Sequence, residues 1–438
     1  MSPSEITGPA TRGGRGRWWL ARIGGALSDQ ALFAGSSFIL NVLLARWMSP
    51  SEYGAFVVAY SWFLLPQNLY DALLIEPMSV YGAGIYAGRF QRYLGLLYRG
   101  HVALSLVILA ALGAAALVAS RFDSGLMGGA LAGAALASPL LLTRWLTRQP
   151  FYVLSVPHRA TFGGAIYLAL AVLATVILFH SGTLNPFNAM LAQGLASVTA
   201  AAVLTTVLLR PQFRAAASDD DLTTGRVIAQ HWAYGKWASA ERLLAWFPAN
   251  IYYLALPLLV GLDASAALRA MLNLIMPLLM TIGAINGVML PMFVRTLANQ
   301  GQPALDRLLA SIVRWAVLAA VAWSVFITFL GEFVISWLYN GQYDSYVTPL
   351  MLFIMGLIPV VAAFNRIVDT ALRAMGGVRR AFFSRLLPTI LTMTMGLGLV
   401  AAFGIIGAHA SSVLTGAVTM VILIRFYRLQ KQEREKAT

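Results

Sequence analysis

Four arginines stand within or beside long apolar runs of this chain: Arg46, Arg242, Arg269 and Arg366. A guanidinium is planar, permanently charged and presents its donors as a fork, so it grips phosphate or carboxylate oxygens two at a time. A charge held at depth among apolar residues is a functional hypothesis by default, and several arginines in one cavity call for an anion. The second apolar run carries polar residues of another kind, Gln67, Asn68 and Asp71, on one face at i, i+3 and i+4 spacing. Asn273 shares a face with Arg269, and Glu241 directly precedes Arg242. Asp71 and Glu241 are the candidates for coupling to a proton or Na⁺; no other cofactor is expected. Pro66 and Pro277 are candidate kinks or gates, because a proline inside a helix removes a donor, frees a carbonyl and permits bending.

The elements that must position these residues are membrane helices. Of 438 residues, 59% are hydrophobic and only 11% charged, a composition of polytopic membrane proteins rather than soluble ones. Windows of about 19 residues give about twelve spans: 27–46, 54–80, 100–120, 125–146, 160–180, 186–209, 232–259, 265–294, 309–330, 346–371, 381–402 and 404–426. The fourth, with GGALAGAALASP, suits close helix packing. The chain holds 31 lysines and arginines, and all but Arg46, Arg121, Arg242, Arg269 and Arg366 fall in the termini or in every second connection. Arg144 and Arg148 are counted with those connections. This split puts both termini in the cytoplasm, and it accounts for the net charge of +14 without nucleic acid.

The chain also repeats. A shift of 211 residues carries Glu52, Ala55, Ala59 and Pro66 onto Asp263, Ala266, Ala270 and Pro277. The expected organisation is a basic cytoplasmic tail (1–26), a six-helix lobe (27–210), a cytoplasmic linker (211–231), a second six-helix lobe (232–428) and a short tail (429–438). Six spans per lobe give both the same orientation, hence a pseudo-two-fold axis along the membrane normal. Proline-interrupted spans at matching repeat positions mark a transporter's binding site, which singles out spans two and eight. Bland readings stand beside these: Arg366 and Asp369 suit an interfacial ion pair, and Asp29 and Arg46 suit snorkelling to the two surfaces.

Enzyme signals are missing. There is no Walker loop, the five histidines lie far apart, and there are no cysteines for thiolate metal sites. The expectation is a protein that is not an enzyme. The order of SDQALFAGSSFILNVLLARWMSPSEYG, a second span ending in LIEPM, and RAMGGVRRAFFSR before span eleven resembles Wzx-type polysaccharide flippases. These belong to the multidrug/oligosaccharidyl-lipid/polysaccharide exporter superfamily, with the MATE exporters and the lipid II flippases. The lipid II flippases have two further C-terminal spans that have no counterpart here.

The resemblance implies a MATE-like, two-lobed transporter in the bacterial inner membrane. It would move a polyprenyl-pyrophosphate-linked oligosaccharide outward for O-antigen or exopolysaccharide synthesis, beside polysaccharide polymerase and export proteins. It further implies that Arg242 and Arg269, with Arg46 and Arg366, hold pyrophosphate or acidic sugars. Gln67, Asn68, Asp71 and Asn273 would then meet hydroxyls or a coupling ion. The rival is a MATE-like cation or drug antiporter working through Asp29, Asp71 and Glu241.

Overall fold

The computed structural model describes residues 12–122, 125–209 and 222–437, with side chains described except at 12–27, 122, 207–209, 284–288 and 437. Residues 1–11 of the expected tail and 211–221 of the expected linker lie outside the described residues. Every element is helical. They are α1 (Arg12–Trp47), α2 (Pro50–Tyr70, continued through wider π-type turns at Asp71–Ile75 into Glu76–Ala83), α3 (Phe90–Phe122), α4 (Leu126–Val153), α5 (Pro157–His180) and α6 (Pro186–Val203, continued to Leu209). Then follow α7 (Thr224–Leu259), α8 (262–300), α9 (302–339), α10 (Pro349–Ala374), α11 (378–403) and α12 (405–437). No strand occurs among the described residues.

Local sequence sets the ends. Ser49 and Glu52 form a capping box at the start of α2: the Ser49 backbone N–H donates to Glu52 Oε2 at 3.0 Å, and the Glu52 N–H to Ser49 Oγ at 3.4 Å. Pro50 sits between them in the first turn, where its missing N–H costs nothing. Asn185–Pro186 and Thr348–Pro349 repeat this logic at α6 and α10, each cap side chain accepting a backbone N–H. Gly301 (φ 77°) and Gly404 (φ 56°) break two otherwise continuous helical runs in a region that disfavours side chains.

Nine helical stretches among the described residues are long and apolar enough to cross a membrane. α11 and α12 count there as one stretch, and the polar-striped α2 and α7 are not among the nine. Two boundaries become more definite. α1 reaches back to Arg12, so residues 12–26 of the basic tail are helical; a nucleated helix adds residues at little cost. Likewise α7 begins at Thr224, inside the expected linker, where Thr223 Oγ accepts the Arg226 N–H at 3.4 Å.

The chain divides into two compact units. Unit 1 comprises Met1–Leu40 and Trp62–Ala240; unit 2 comprises Asn41–Ser61 and Glu241–Thr438. The division departs from two sequential lobes. The end of α1 and the first half of α2 cluster with unit 2, and the first half of α7 clusters with unit 1.

In unit 1 the small-residue run of α4 does what its composition predicts. A Cβ on Gly133 would lie 2.7 Å from Phe187 Cα, and one on Gly194 3.2 Å from Ala137 Cα, so α4 and α6 touch backbone to backbone. Gly133→Ala is expected to destabilise by about 1–3 kcal/mol, the usual cost of overpacking. A lower thermal midpoint in detergent checks it, whereas an unchanged midpoint would show that α6 yields freely.

Unit 2 is centred on Met289, Phe293, Leu305, Ile367, Leu372 and Leu423, drawn from α8, α9, α10 and α12. Outside the spans expected from sequence (309–330 and 404–426), α12 is tied to the start of α9. Asp306 accepts from Lys431 Nζ (2.7 Å), Tyr427 Oη (2.7 Å) and Gln302 Nε2 (2.8 Å). Partial burial pushes the Asp306 carboxyl up, but the donors outweigh it and hold it below its ordinary value of 3.8. A carboxyl depressed in the folded state stabilises fully above its unfolded value and loses that contribution as pH falls through the folded one. The difference in unfolding midpoint between the native protein and Asp306→Asn should therefore be constant from neutral pH down to about pH 5, and shrink below about pH 4. A difference independent of pH would exclude the carboxylate as its source.

Candidate functional site

The predicted residues are shared between the units. Pro66, Gln67, Asn68 and Asp71 belong to unit 1; Arg46, Glu241, Arg242, Arg269, Asn273, Pro277 and Arg366 belong to unit 2.

In unit 2, the first half of α2 and the end of α1 build a cage around Arg269 of α8. Arg269 Nε donates to Asn41 Oδ1 at 3.2 Å, and Tyr53 Oη donates to the same oxygen at 3.0 Å. The guanidinium carbon lies 5.9 Å from the centre of the Tyr253 ring. Asn273 Nδ2 donates to Tyr339 Oη at 3.3 Å, and that hydroxyl donates to Ala270 O at 3.1 Å. Tyr53, Tyr253, Asn273 and Tyr339 are all buried. Arg269 itself is half-buried and has no carboxylate partner among the described residues. Neutral amide and phenol oxygens orient the fork without neutralising it.

Arg366 on α10 is a second cation outside any ion pair among the described residues. It is exposed, and its guanidinium passes over Gly283 of α8, where a Cβ would meet Nη1 at 2.9 Å. The expected Arg366–Asp369 pair is not made. Asp369 binds Arg373 (3.0 Å) and Arg385 (3.5 Å) instead, because Arg373 lies one helical turn away at i+4 and Arg385 approaches from α11.

Glu241 is drawn into the same junction, 3.5 Å from Arg373 and 3.6 Å from Arg385. It thus pairs with other helices rather than with Arg242, since adjacent residues of a helix point about 100° apart. Two ion pairs make it a tie between α7, α10 and α11. Arg242 is half-buried on α7. Arg46 serves the fold, donating at 3.3 Å to the Trp337 and Leu338 carbonyls in the last turn of α9, where a cation is favoured. Pro277 lies inside α8 with its carbonyl accepting from Thr281 Oγ1 at 2.8 Å.

Unit 1 holds the polar face of α2. Gln67 Nε2 donates to Asp71 Oδ2 at 3.2 Å, and both residues are buried. Asn68 turns back to the Leu64 carbonyl at 2.7 Å, so it does not join them. Pro66 lies one turn before the π-type turns that begin at Asp71. A widened turn releases backbone groups and recurs at functional positions in helices.

A second charged network was not foreseen. Asp29, only 1% exposed, accepts from Arg148 Nε at 2.7 Å and from the Tyr152 hydroxyl. Arg144 is buried nearby on α4 and stacks 3.8 Å from the centre of the Tyr167 ring. The expectation that Asp29 snorkels and that Arg144 and Arg148 belong to a connection is therefore wrong. α4 runs on to Val153 and turns both arginines inward.

Unit 2 also has an open pocket of about 290 Å³ bordered by Tyr252, Asn365, Arg385, Thr389, Thr392 and Thr415. It brings several hydroxyls together in a mostly apolar wall, a grouping that the scattered threonines do not reveal in sequence.

Solved structures share this fold. An inward-facing multidrug-resistance MATE transporter of the MOP superfamily matches with a TM-score of 0.72 at 13% identity, over 92% of this chain and 94% of the other. The fold is that of the MATE transporters. The lipid II flippase MurJ in an inward closed conformation matches at 0.69 and 11% identity, over 94% and 89%. A MOP superfamily transporter from Pyrococcus furiosus, described as having a binding pocket of reversed polarity, matches at 0.64 and 11%, over 94% and 95%. The sequence model of the lipid II flippase MurJ family matches residues 263–437. No curated protein sequence matches the chain. The chain is thus an all-α, multi-pass membrane protein with the MATE fold, shared with MurJ.

Proposed function

We propose that this chain is a secondary transporter that moves a polyprenyl-pyrophosphate-linked oligosaccharide from the inner to the outer leaflet of a bacterial cytoplasmic membrane, by alternating access. The observation that carries this reading is Arg269, half-buried in a cage of amide and phenol groups with no carboxylate beside it among the described residues. Arg366 supplies a second charge in the same unit that forms no ion pair among the described residues. A diphosphate would complete such a site, since charge-assisted bonds to phosphate oxygens are the strong ones. The likeness to MurJ in sequence model and in fold supports a lipid-linked substrate, and the resemblance to Wzx-type flippases supports an oligosaccharide head. An inside-negative potential would assist export of an anion by about 2.3 kcal/mol per charge per 100 mV.

In this account Arg269 and Arg366 bind the diphosphate, and Arg242 and Asn273 meet the head group. Arg46 braces α9 through the Trp337 and Leu338 carbonyls. Asp71 with Gln67 is the place for a coupling proton or Na⁺, Glu241 being engaged by two arginines. Pro66 and Pro277 lend α2 and α8 the bend that opening and closing require. Both termini lie in the cytoplasm, and the partners are the lipid-linked oligosaccharide, membrane lipids, and the polymerase or export proteins that take the product.

The rival reading, a cation antiporter, draws on the buried Asp71–Gln67 pair and the MATE fold itself. Affinity separates the two. Purified protein in detergent is expected to bind a polyprenyl-diphosphate oligosaccharide in preference to a cationic dye, and to lose most of that preference in Arg366→Gln. Tight dye binding with no lipid binding would favour the antiporter.

A further inference from the structure

Unit 1 carries a groove that belongs neither to the Asp29 network nor to the polar face of α2. It runs between Leu73 and Leu74 of α2, Leu96 to Leu104 of α3 and the first turns of α7, and holds about 500 Å³. Its walls are almost wholly aliphatic. Gly100 deepens it, for a Cβ there would come within 3.2 Å of Leu74 Cδ1. His231 borders the groove with both ring nitrogens occupied, one by the Leu73 carbonyl at 2.8 Å and the other by Tyr93 Oη at 2.7 Å. It closes the floor and is not open to a ligand.

The remaining charged group is Arg99. It is exposed and has no hydrogen-bond or ion-pair partner among the described residues. Thr224, opening α7, lies on the same rim, so the positive end of that helix adds to the field there. Ile228 and Trp232, 62% and 59% exposed, form the lip. Beyond Arg99, α3 continues outward with Val102, Leu106 and Val107, each more than half exposed. One end of the track is therefore cationic and the rest is hydrocarbon-like, which is the pattern of an amphiphile with an anionic head.

We propose that this groove is a binding site for an anionic phospholipid of the inner leaflet, its phosphodiester on Arg99 and one acyl chain along Leu74, Leu97 and Ile228. Charge complementarity selects the occupant. One unpaired guanidinium matches one phosphodiester charge, whereas a diphosphate calls for more cation than the groove provides. Basic pockets between membrane helices on the cytoplasmic side are where anionic head groups settle, and the arginine-rich connection Arg89, Arg92 and Arg99 gives this end of α3 that position. The inference does not depend on the transported substrate.

Trp232 provides the readout. The full chain is placed in phosphatidylcholine nanodiscs containing a minor fraction of brominated phosphatidylglycerol, or of brominated phosphatidylcholine as the reference. Subtracting the signal of Trp232→Phe isolates quenching at the groove from that at the other tryptophans. Brominated phosphatidylglycerol is expected to be preferred about fivefold, the preference one arginine near the surface confers. Arg99→Gln should abolish it and Arg99→Lys retain it, which separates loss of charge from loss of fold. Equal quenching by the two lipids, or a preference that survives in Arg99→Gln, would overturn the proposal. Displacement of the brominated lipid by stoichiometric polyprenyl diphosphate would also overturn it, assigning the groove to an isoprenoid tail instead.

Discussion

Arg269→Ala is expected to lower movement of a lipid-linked anionic oligosaccharide about a hundredfold while leaving the protein folded. Removing one partner of a buried, hydrogen-bonded charge pair costs about 2–5 kcal/mol, and each 1.4 kcal/mol is a factor of ten. Folding should suffer less than transport, because Arg269 neutralises no carboxylate in the described structure. Its partners are Asn41, which keeps the Tyr53 hydroxyl at 3.0 Å, and the face of Tyr253. Arg269→Lys should fall between the two, holding the charge but losing the planar fork that Asn41 aims. Transport rates in proteoliposomes, normalised to folded protein by gel filtration, check this. Equal loss of folded protein and of transport would make Arg269 a packing residue.

Asp29→Asn is expected to act in the opposite way, on stability first. Asp29 is 1% exposed and binds Arg148 at 2.7 Å. Without it the guanidinium stays enclosed beside Phe33 and Trp145 with its charge uncompensated. Breaking a buried pair by removing one member costs about 3–5 kcal/mol. Removing both members costs less than removing the first alone, so Asp29→Asn with Arg148→Gln should recover part of the lost thermal midpoint. A double variant whose loss is the sum of the two single losses would show that the groups do not stabilise one another.

The two networks also mark where sequence reading succeeds and fails. Span positions are legible because hydrocarbon thickness demands long apolar runs; the positive-φ breaks at Gly301 and Gly404 emerge only in the structure. Arg269 and Asn273 are legible as a pair because helical spacing alone puts them on one face. Their cage is not, because Asn41, Tyr53, Tyr253 and Tyr339 come from four separate stretches and each also reads as an ordinary interfacial or core residue.

Arg144 and Arg148 lie inside α4 rather than in a connection for a physical reason. Counting cationic residues by connection treats every arginine near a span's end as solvated, and the count cannot register that α4 continues for another seven residues to Val153. The same count leaves Asp29 without an inward partner, because Arg148 is read as part of a connection. The Asp369 pairing shows the same limit at shorter range. Helical geometry allows both i−3 and i+4 partners, and the approach of Arg385 from α11 helps decide between them.

The central claim is tested most directly by leaflet-to-leaflet movement of a fluorescent polyprenyl-pyrophosphate oligosaccharide in proteoliposomes of defined orientation. The account predicts outward movement that accelerates as the inside is made negative, and that is nearly lost in Arg269→Ala. Export of a cationic dye in the same vesicles with the lipid stationary would contradict it, and Arg269 would then be a structural residue of a cation transporter.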